Sequence, residues 1–361
     1  MRLQLPPSCR NFVRIFACLI GAGISALSPL GCTNDKTGGK SAETAPGNPA
    51  ANTQVASGAK KKIVFIFKIG GISYSEACKA GAEQANADSA INADVQYQAS
   101  TEGTSEKQAD IVDQAIVGKA DAIVVSPVDA KAIVPALDRA VQAGIQVFTW
   151  DSDAPDSKRK FYVAAVDDVE IGTNIADALA RSIGEKGKVL IFSGQRTAEN
   201  LNKHLQGMEI GFRKYPNIKV AQPYYYNDDE KGKAVSTAIT ALQANPDTVG
   251  IACCNSVSPP AAGEALRKNN SIGKVKVWGL ALPSETKTYL KDGSVTGLYL
   301  WDPKLLTYVT ARLVKDALDG KMPTDGEEIA GVPGKTSVKG STVIPPLRLE
   351  INKDNVDKMT F

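Results

Sequence analysis

Six loops of this chain carry residues suited to holding hydroxyl groups. Lys68 ends the apolar run that begins at Ile63 and leads into Ile69-Gly70-Gly71 and then Tyr74. Glycines there let backbone approach a ligand, and the start of a following helix offers free N–H groups. The loop lacks the spacing and the GKS or GKT ending of a phosphate-binding loop, which argues against a nucleotide site. A second apolar run closes with Thr149-Trp150-Asp151-Ser152-Asp153. A carboxylate at Asp151 can accept from two adjacent hydroxyls, and charge-assisted bonds of this kind are the strong ones. The bland alternative is a turn or helix-cap aspartate, and that is the reading for Asp153. Ser152 stands beside them as a hydroxyl donor.

The later loops add amides and an aromatic plane. Ser193-Gly194 precedes Glu199-Asn200-Leu201-Asn202-Lys203-His204, where Asn200 and Asn202 offer both donors and acceptors. His204 is the sole histidine, with a cleft role and a core role both open. Cys253-Cys254-Asn255 puts another amide after a strand-like run. Leu300-Trp301-Asp302-Pro303 adds Asp302 and a ring, Trp301, on which a sugar face can lie. Ser126, in Ser126-Pro127-Val128-Asp129, is a further candidate. No nucleophile–base pair and no metal cluster stands at a recognisable spacing. The reading is therefore binding without catalysis, with no cofactor and no metal.

The elements that must position these loops alternate. Short apolar runs begin near Ile63, Val95, Ala122, Ile145 and Phe161, and a second series begins near Lys188, Ile218, Val249, Val275 and Val295. Most are β-branched and not strictly alternating, as expected of parallel strands covered on both faces. Helical stripes lie between them. Ala109, Val112 and Ile116 follow Ser105, with Gln108 completing an expected capping box. Ile133, Leu137 and Ala140 are closed by Gly144; Ile171, Ile175 and Leu179 are closed by Gly184; Ala234, Ala238 and Leu242 precede Asn245-Pro246. Pro303 opens a helix carrying Leu306, Val309 and Leu313. Such alternation predicts an α/β fold with parallel sheets. Two like series predict two lobes, with a crossing near Ala165 to Asp167. Ligands of open parallel sheets bind beyond the carboxyl ends of the strands, which is where all six loops fall.

The ends of the chain give its setting. At 361 residues with a net charge of +3, it is long enough for two cores and shows no basic stripe for nucleic acid. Arg2, Arg10 and Arg14 precede an apolar stretch, Ile15 to Leu27, too short for a comfortable membrane span. Ser28-Pro29-Leu30-Gly31-Cys32 then resembles a bacterial lipoprotein signal, which implies cleavage after residue 31 and lipidation of Cys32. Residues 32–60 read as a polar tether unable to bury enough surface to fold. Cys78, Cys253 and Cys254 remain, too few for a disulfide framework, and are expected as buried thiols.

The segments VFIFKIGG, AIVVSPVDAKAIVPALDRAVQAGIQVFTWDSD, GLALPSETKTYLKDGSVTGLYLWDP and INKDNVDKMTF resemble the type I periplasmic binding proteins of the ribose class, and among these most nearly the autoinducer-2 and rhamnose-binding branch. The likeness runs from about Lys61 to Phe361. It implies two Rossmann-like lobes joined by a three-segment hinge: residues 61–165 with about 303–330, and residues 166–302 with about 331–361. It implies a sugar or sugar-like ligand, an ABC permease and ATPase as partners, a monomer, and a place in the periplasm or on the outer face of the envelope. Lys68 and Asp151 match ligand residues of the branch. Its later Asp-Gln pair reads Asn200-Leu201 here, and His204 stands where ribose binders often carry an arginine. The same fold in a chemotaxis or quorum-signalling role is the alternative. A secreted hydrolase would need a Gly-x-Ser-x-Gly elbow and a late histidine, and neither is present.

Overall fold

The computed structural model describes residues 60–359 and 361. The signal segment, Cys32 and nearly all of the 32–60 tether lie outside the described residues. In chain order the first half runs β1 (Lys61–Phe67), α1 (Ser73–Ala87), β2 (Ala93–Ala99), α2 (Ser105–Val117), β3 (Ala122–Val125), α3 (Val134–Gln142), β4 (Gln146–Trp150) and β5 (Tyr162–Val163). The second half runs α4 (Asp168–Ser182), β6 (Gly187–Ser193), α5 (Glu199–Phe212), β7 (Ile218–Val220), β8 (Tyr225–Tyr226), α6 (Lys231–Ala244), β9 (Thr248–Cys253), α7 (Ser258–Lys268), β10 (Lys276–Gly279), α8 (Pro283–Asp292) and β11 (Gly297–Leu300). It closes with α9 (Pro303–Leu318), β12 (Ser337–Lys339), β13 (Thr342–Ile344) and β14 (Leu349–Ile351).

These strands build two sheets. The first has the order β12-β13-β5-β4-β3-β1-β2, the second β14-β11-β10-β9-β6-β7 with β8 also on β6. Pairing is parallel throughout except at the rims, where β12 runs against β13 and β14 against β11. Helices cover both faces, so the central strands are buried on both sides: Ile63, Val64, Phe65 and Ile66 are all fully buried, as are Val189, Leu190 and Ile191. This is why the runs lack alternation.

The chain passes from one sheet to the other between β5 and α4, between β11 and α9, and between β13 and β14. The helix α9 packs back on α1 of the first half. One boundary differs from the sequence reading. That reading put residues 331–361 with the second lobe, but β12 and β13 hydrogen-bond into the first sheet through β5, and only β14 joins the second. Two strands of three residues each carry too little pattern to show which sheet edge they meet.

The cap of α2 also differs. Thr104, one residue earlier than expected, accepts from the Lys107 N–H. Gln108 is buried instead: its amide donates to Ser126 O (2.8 Å) and accepts from the Val128 N–H (3.0 Å), which pins the loop after β3. The three described cysteines are free and buried, as expected.

Candidate functional site

A cavity, partly open to solvent, lies between the carboxyl ends of the two sheets. Lys68, Tyr74, Asp151, Asn200, His204, Asn255 and Trp301, all picked out from sequence, line it together.

The first-sheet side is a self-satisfied cluster around Asp151. Lys68 leaves the end of β1 and its Nζ donates to Asp151 Oδ2 at 3.1 Å. Ser126 Oγ donates to the same oxygen at 2.8 Å, and the Tyr74 hydroxyl donates to Oδ1 at 2.8 Å. Burial, then the Asp151 charge, push the Tyr74 phenol well above its ordinary value, so it stays a donor. Trp301 Nε1 in turn donates to the Tyr74 oxygen at 2.7 Å, with the two rings edge-to-face. Asp151 adopts a left-handed backbone, φ 60°, which turns the chain at the end of β4. Strain of this kind persists only where its surroundings enforce it; here the Tyr162 hydroxyl donates to Asp151 O at 3.1 Å. A buried ion pair without further bonds would cost stability, and the three donors on Asp151 offset that cost.

The second-sheet side hangs on α5. Asn200 is in its first turn, and its Oδ1 accepts from Lys68 Nζ at 3.0 Å. His204, one turn later on the same face, is buried with both ring nitrogens against oxygen: Nδ1 is 3.2 Å from Cys254 O and Nε2 is 3.2 Å from Asp168 Oδ1. It therefore offers a guest ring surface rather than a free nitrogen. Cys254 lines the wall with its thiol pushed up to about 12 by burial, hence protonated and inert. Asn255 Nδ2 donates to Asn227 Oδ1 (2.8 Å) and to Asp229 Oδ1 (2.7 Å).

Four expectations are corrected. Asn202 is exposed, with its amide donating to Arg196 O at 3.1 Å; two residues along a helix is about 200° of rotation, which turns it away from Asn200. Asp302 caps α9, accepting from the Lys304 and Leu305 N–H groups. Ser126 and Ser152 are fully buried and stand behind the cavity wall: Ser126 supports Asp151, and Ser152 Oγ faces the Asn200 N–H at 3.5 Å. Asp153 is structural as read, accepting from Thr149, Ala154 and Arg159.

The sequence reading missed Asp229, a buried carboxyl on the cavity wall just after β8. It also missed the apolar lining from Phe67, Ile69, Ile72, Leu201, Leu280 and Leu300. The run Asn227-Asp228-Asp229 looks like an ordinary polar turn, and a two-residue strand gives no signal that a strand end precedes it.

Residues 63–322 match the model of the periplasmic binding protein domain. The D-ribose/D-allose-binding protein of Pseudomonas aeruginosa is 30 % identical over 200 residues, which cover 54 % of this chain and 62 % of that protein, so the match spans less than two thirds of its length. An ABC transporter solute-binding protein of Clostridium phytofermentas, solved with L-rhamnose, superposes with a TM-score of 0.76 at 24 % identity, over 83 % of this chain and 98 % of its own. A further one, from Burkholderia graminis C4D1M with D-arabinose, has a TM-score of 0.71 at 28 % identity, over 84 % and 99 %.

Proposed function

Because the chain belongs to the periplasmic binding protein domain family, we propose that it is the solute-binding component of a sugar ABC importer, taking a small neutral sugar or sugar-like polyol into the cleft. The observation that carries this is the set of side chains at the cavity. An amine, carboxylates and amides from both sheets converge there with an indole and an aliphatic wall, which is the mixture that polyol recognition needs. The relatives named above bind such sugars, by their own descriptions.

In this reading the two lobes are rigid bodies that close on the guest about the three crossings. The closed surface is what the permease recognises. The protein works outside the cytoplasm, held to a membrane through Cys32. Incorporation of labelled fatty acid, lost in Cys32→Ala, tests the anchor.

Isothermal titration against pentoses, deoxyhexoses, hexoses and an autoinducer-2 preparation with borate tests the binding. The expected result is one guest at micromolar affinity or tighter, with Asp151→Ala abolishing it. No binding to any of them overturns the reading.

A further inference from the structure

We propose that Asp229 is the second lobe's gripping carboxylate, accepting from two neighbouring hydroxyls of the guest while Lys68 holds an oxygen acceptor at the guest's other end. This rests on the sugar-binding reading and assigns the guest's orientation within it.

The two cavity carboxylates are in opposite situations. Asp151 already takes three donors from its own side of the cleft, namely Lys68, Ser126 and Tyr74. A carboxylate has about four lone-pair sites, so little of Asp151 remains for a guest. Asp229 is only 7 % exposed, and Asn255 Nδ2 is the side-chain donor that reaches it. Among the described residues no lysine, arginine or histidine stands within ion-pair distance of it. A buried carboxyl in that position is costly unless donors reach it, and the cavity is where such donors would arrive.

The surroundings are built to hold it there. Its own N–H donates to Asn227 Oδ1 at 3.1 Å, its backbone is left-handed at φ 61°, and Asn255 is locked in turn by Asn227 and Ser258. Gly194, at the end of β6, leaves the space the carboxylate fills: a β-carbon at that position would overlap the Asp229 side chain. Burial raises the Asp229 carboxyl, while the Asn255 amide, the Lys68 charge and the Gln195 backbone N–H pull it back down; these donors come from the wall, and the remaining lone pairs face the cavity.

Lys68 supplies the other end. Its ammonium has three N–H donors; two are used on Asp151 and Asn200, and one remains for a guest oxygen. The pocket thus has an acceptor pole at Asp229 and a donor pole at Lys68. A guest with adjacent hydroxyls at one end and a ring or carbonyl oxygen at the other fits that polarity. A uronate placing its carboxylate at Asp229 does not.

The test is titration of wild type, Asp229→Asn and Gly194→Ala with the best neutral sugar and with its monodeoxy analogues. Losing hydrogen bonds to a charged acceptor should weaken the parent sugar about 10- to 100-fold in both variants. Asp229→Asn is isosteric and removes a buried charge, so its fold is expected to survive, which a thermal melt checks. One deoxy analogue should lose affinity in wild type and lose nothing further in Asp229→Asn. Parent-sugar affinity within 3-fold of wild type in Asp229→Asn, or an unchanged deoxy penalty, overturns the inference. If Lys68→Ala then abolishes binding, the sugar-binding reading stands without it. If wild type binds no polyol, that reading fails first and this one with it.

Discussion

Lys68 Nζ, at the end of a strand in the first sheet, lies 3.0 Å from Asn200 Oδ1, in the first turn of a helix over the second sheet. The bond joins the two halves directly through the cavity. It also uses a charged donor, and such bonds contribute about 1.5–3 kcal/mol. Asn200→Ala is therefore expected to raise the radius of gyration of the empty protein in solution scattering and to weaken ligand binding about tenfold. An unchanged scattering curve with unchanged affinity would show that this bond holds nothing shut.

A second contact between the two halves centres on the exposed Lys231 and should behave differently. Ser73 Oγ donates to Glu285 Oε1 at 2.5 Å, and Lys231 Nζ reaches both, at 3.3 Å and 2.6 Å. With the Lys231 side chain 53 % exposed, the pair is worth no more than about 1 kcal/mol. Glu285→Ala should weaken ligand binding about two- to fivefold at low salt. At 0.5 M salt, variant and wild type should converge, since surface charges are then screened. Titration at the two ionic strengths checks this; a salt-independent difference would contradict it.

The raised Asp229 carboxyl has a pH signature in the empty protein. Its folded value lies above its unfolded one, so over that window the native state binds more protons than the unfolded chain. Its contribution to stability is present below the unfolded value, near that of a free aspartate, and is lost as pH climbs through the folded value. Asp229→Asn should thus leave the melting temperature unchanged at the acid end and raise it near neutrality. Melts of wild type and variant from pH 4 to 8 check the sign. A variant less stable at pH 7 would mean that the charge is compensated in the empty protein.

Much of this was legible in the chain, for physical reasons. Doubly covered parallel strands need continuous apolar runs, so the ten main strand starts stand out, and a glycine with positive φ marks the ends of two helical stripes at Gly144 and Gly184. Lys68, Asp151 and Trp301 were readable because each directly follows such a run. Asp302 follows one too, but a residue before proline at a helix start is also a cap, and the N–H groups of Lys304 and Leu305 claimed it. Asn202 was read by type without regard to helical rotation. Asp229 escaped because its position depends on β8 lying against β6, a pairing of two residues that no local pattern encodes.

The contact between α4 and α5 gives a test of whether site geometry depends on backbone packing rather than on ligand-facing groups alone. Gly172 and Gly207 face each other there: a β-carbon at Gly172 would overlap His204 O, and one at Gly207 would overlap Val169 O. Neither glycine has an unusual φ, so what each provides is close approach. This approach is what lets the His204 ring reach both Asp168, at the start of α4, and Cys254 O, at the end of β9. Gly207→Ala must push α5 outward, and overpacking of this kind costs about 1–3 kcal/mol. Because α5 also carries Asn200, ligand affinity should fall although no residue touching the guest has changed. Gly232→Ala is the control: it is in the exposed first turn of α6 with nothing near its absent β-carbon, and should be neutral or stabilise by about 0.5–1 kcal/mol. Urea denaturation and titration of both variants decide the matter. If Gly207→Ala is tolerated as well as Gly232→Ala, the two helices do not set the position of Asn200 and His204.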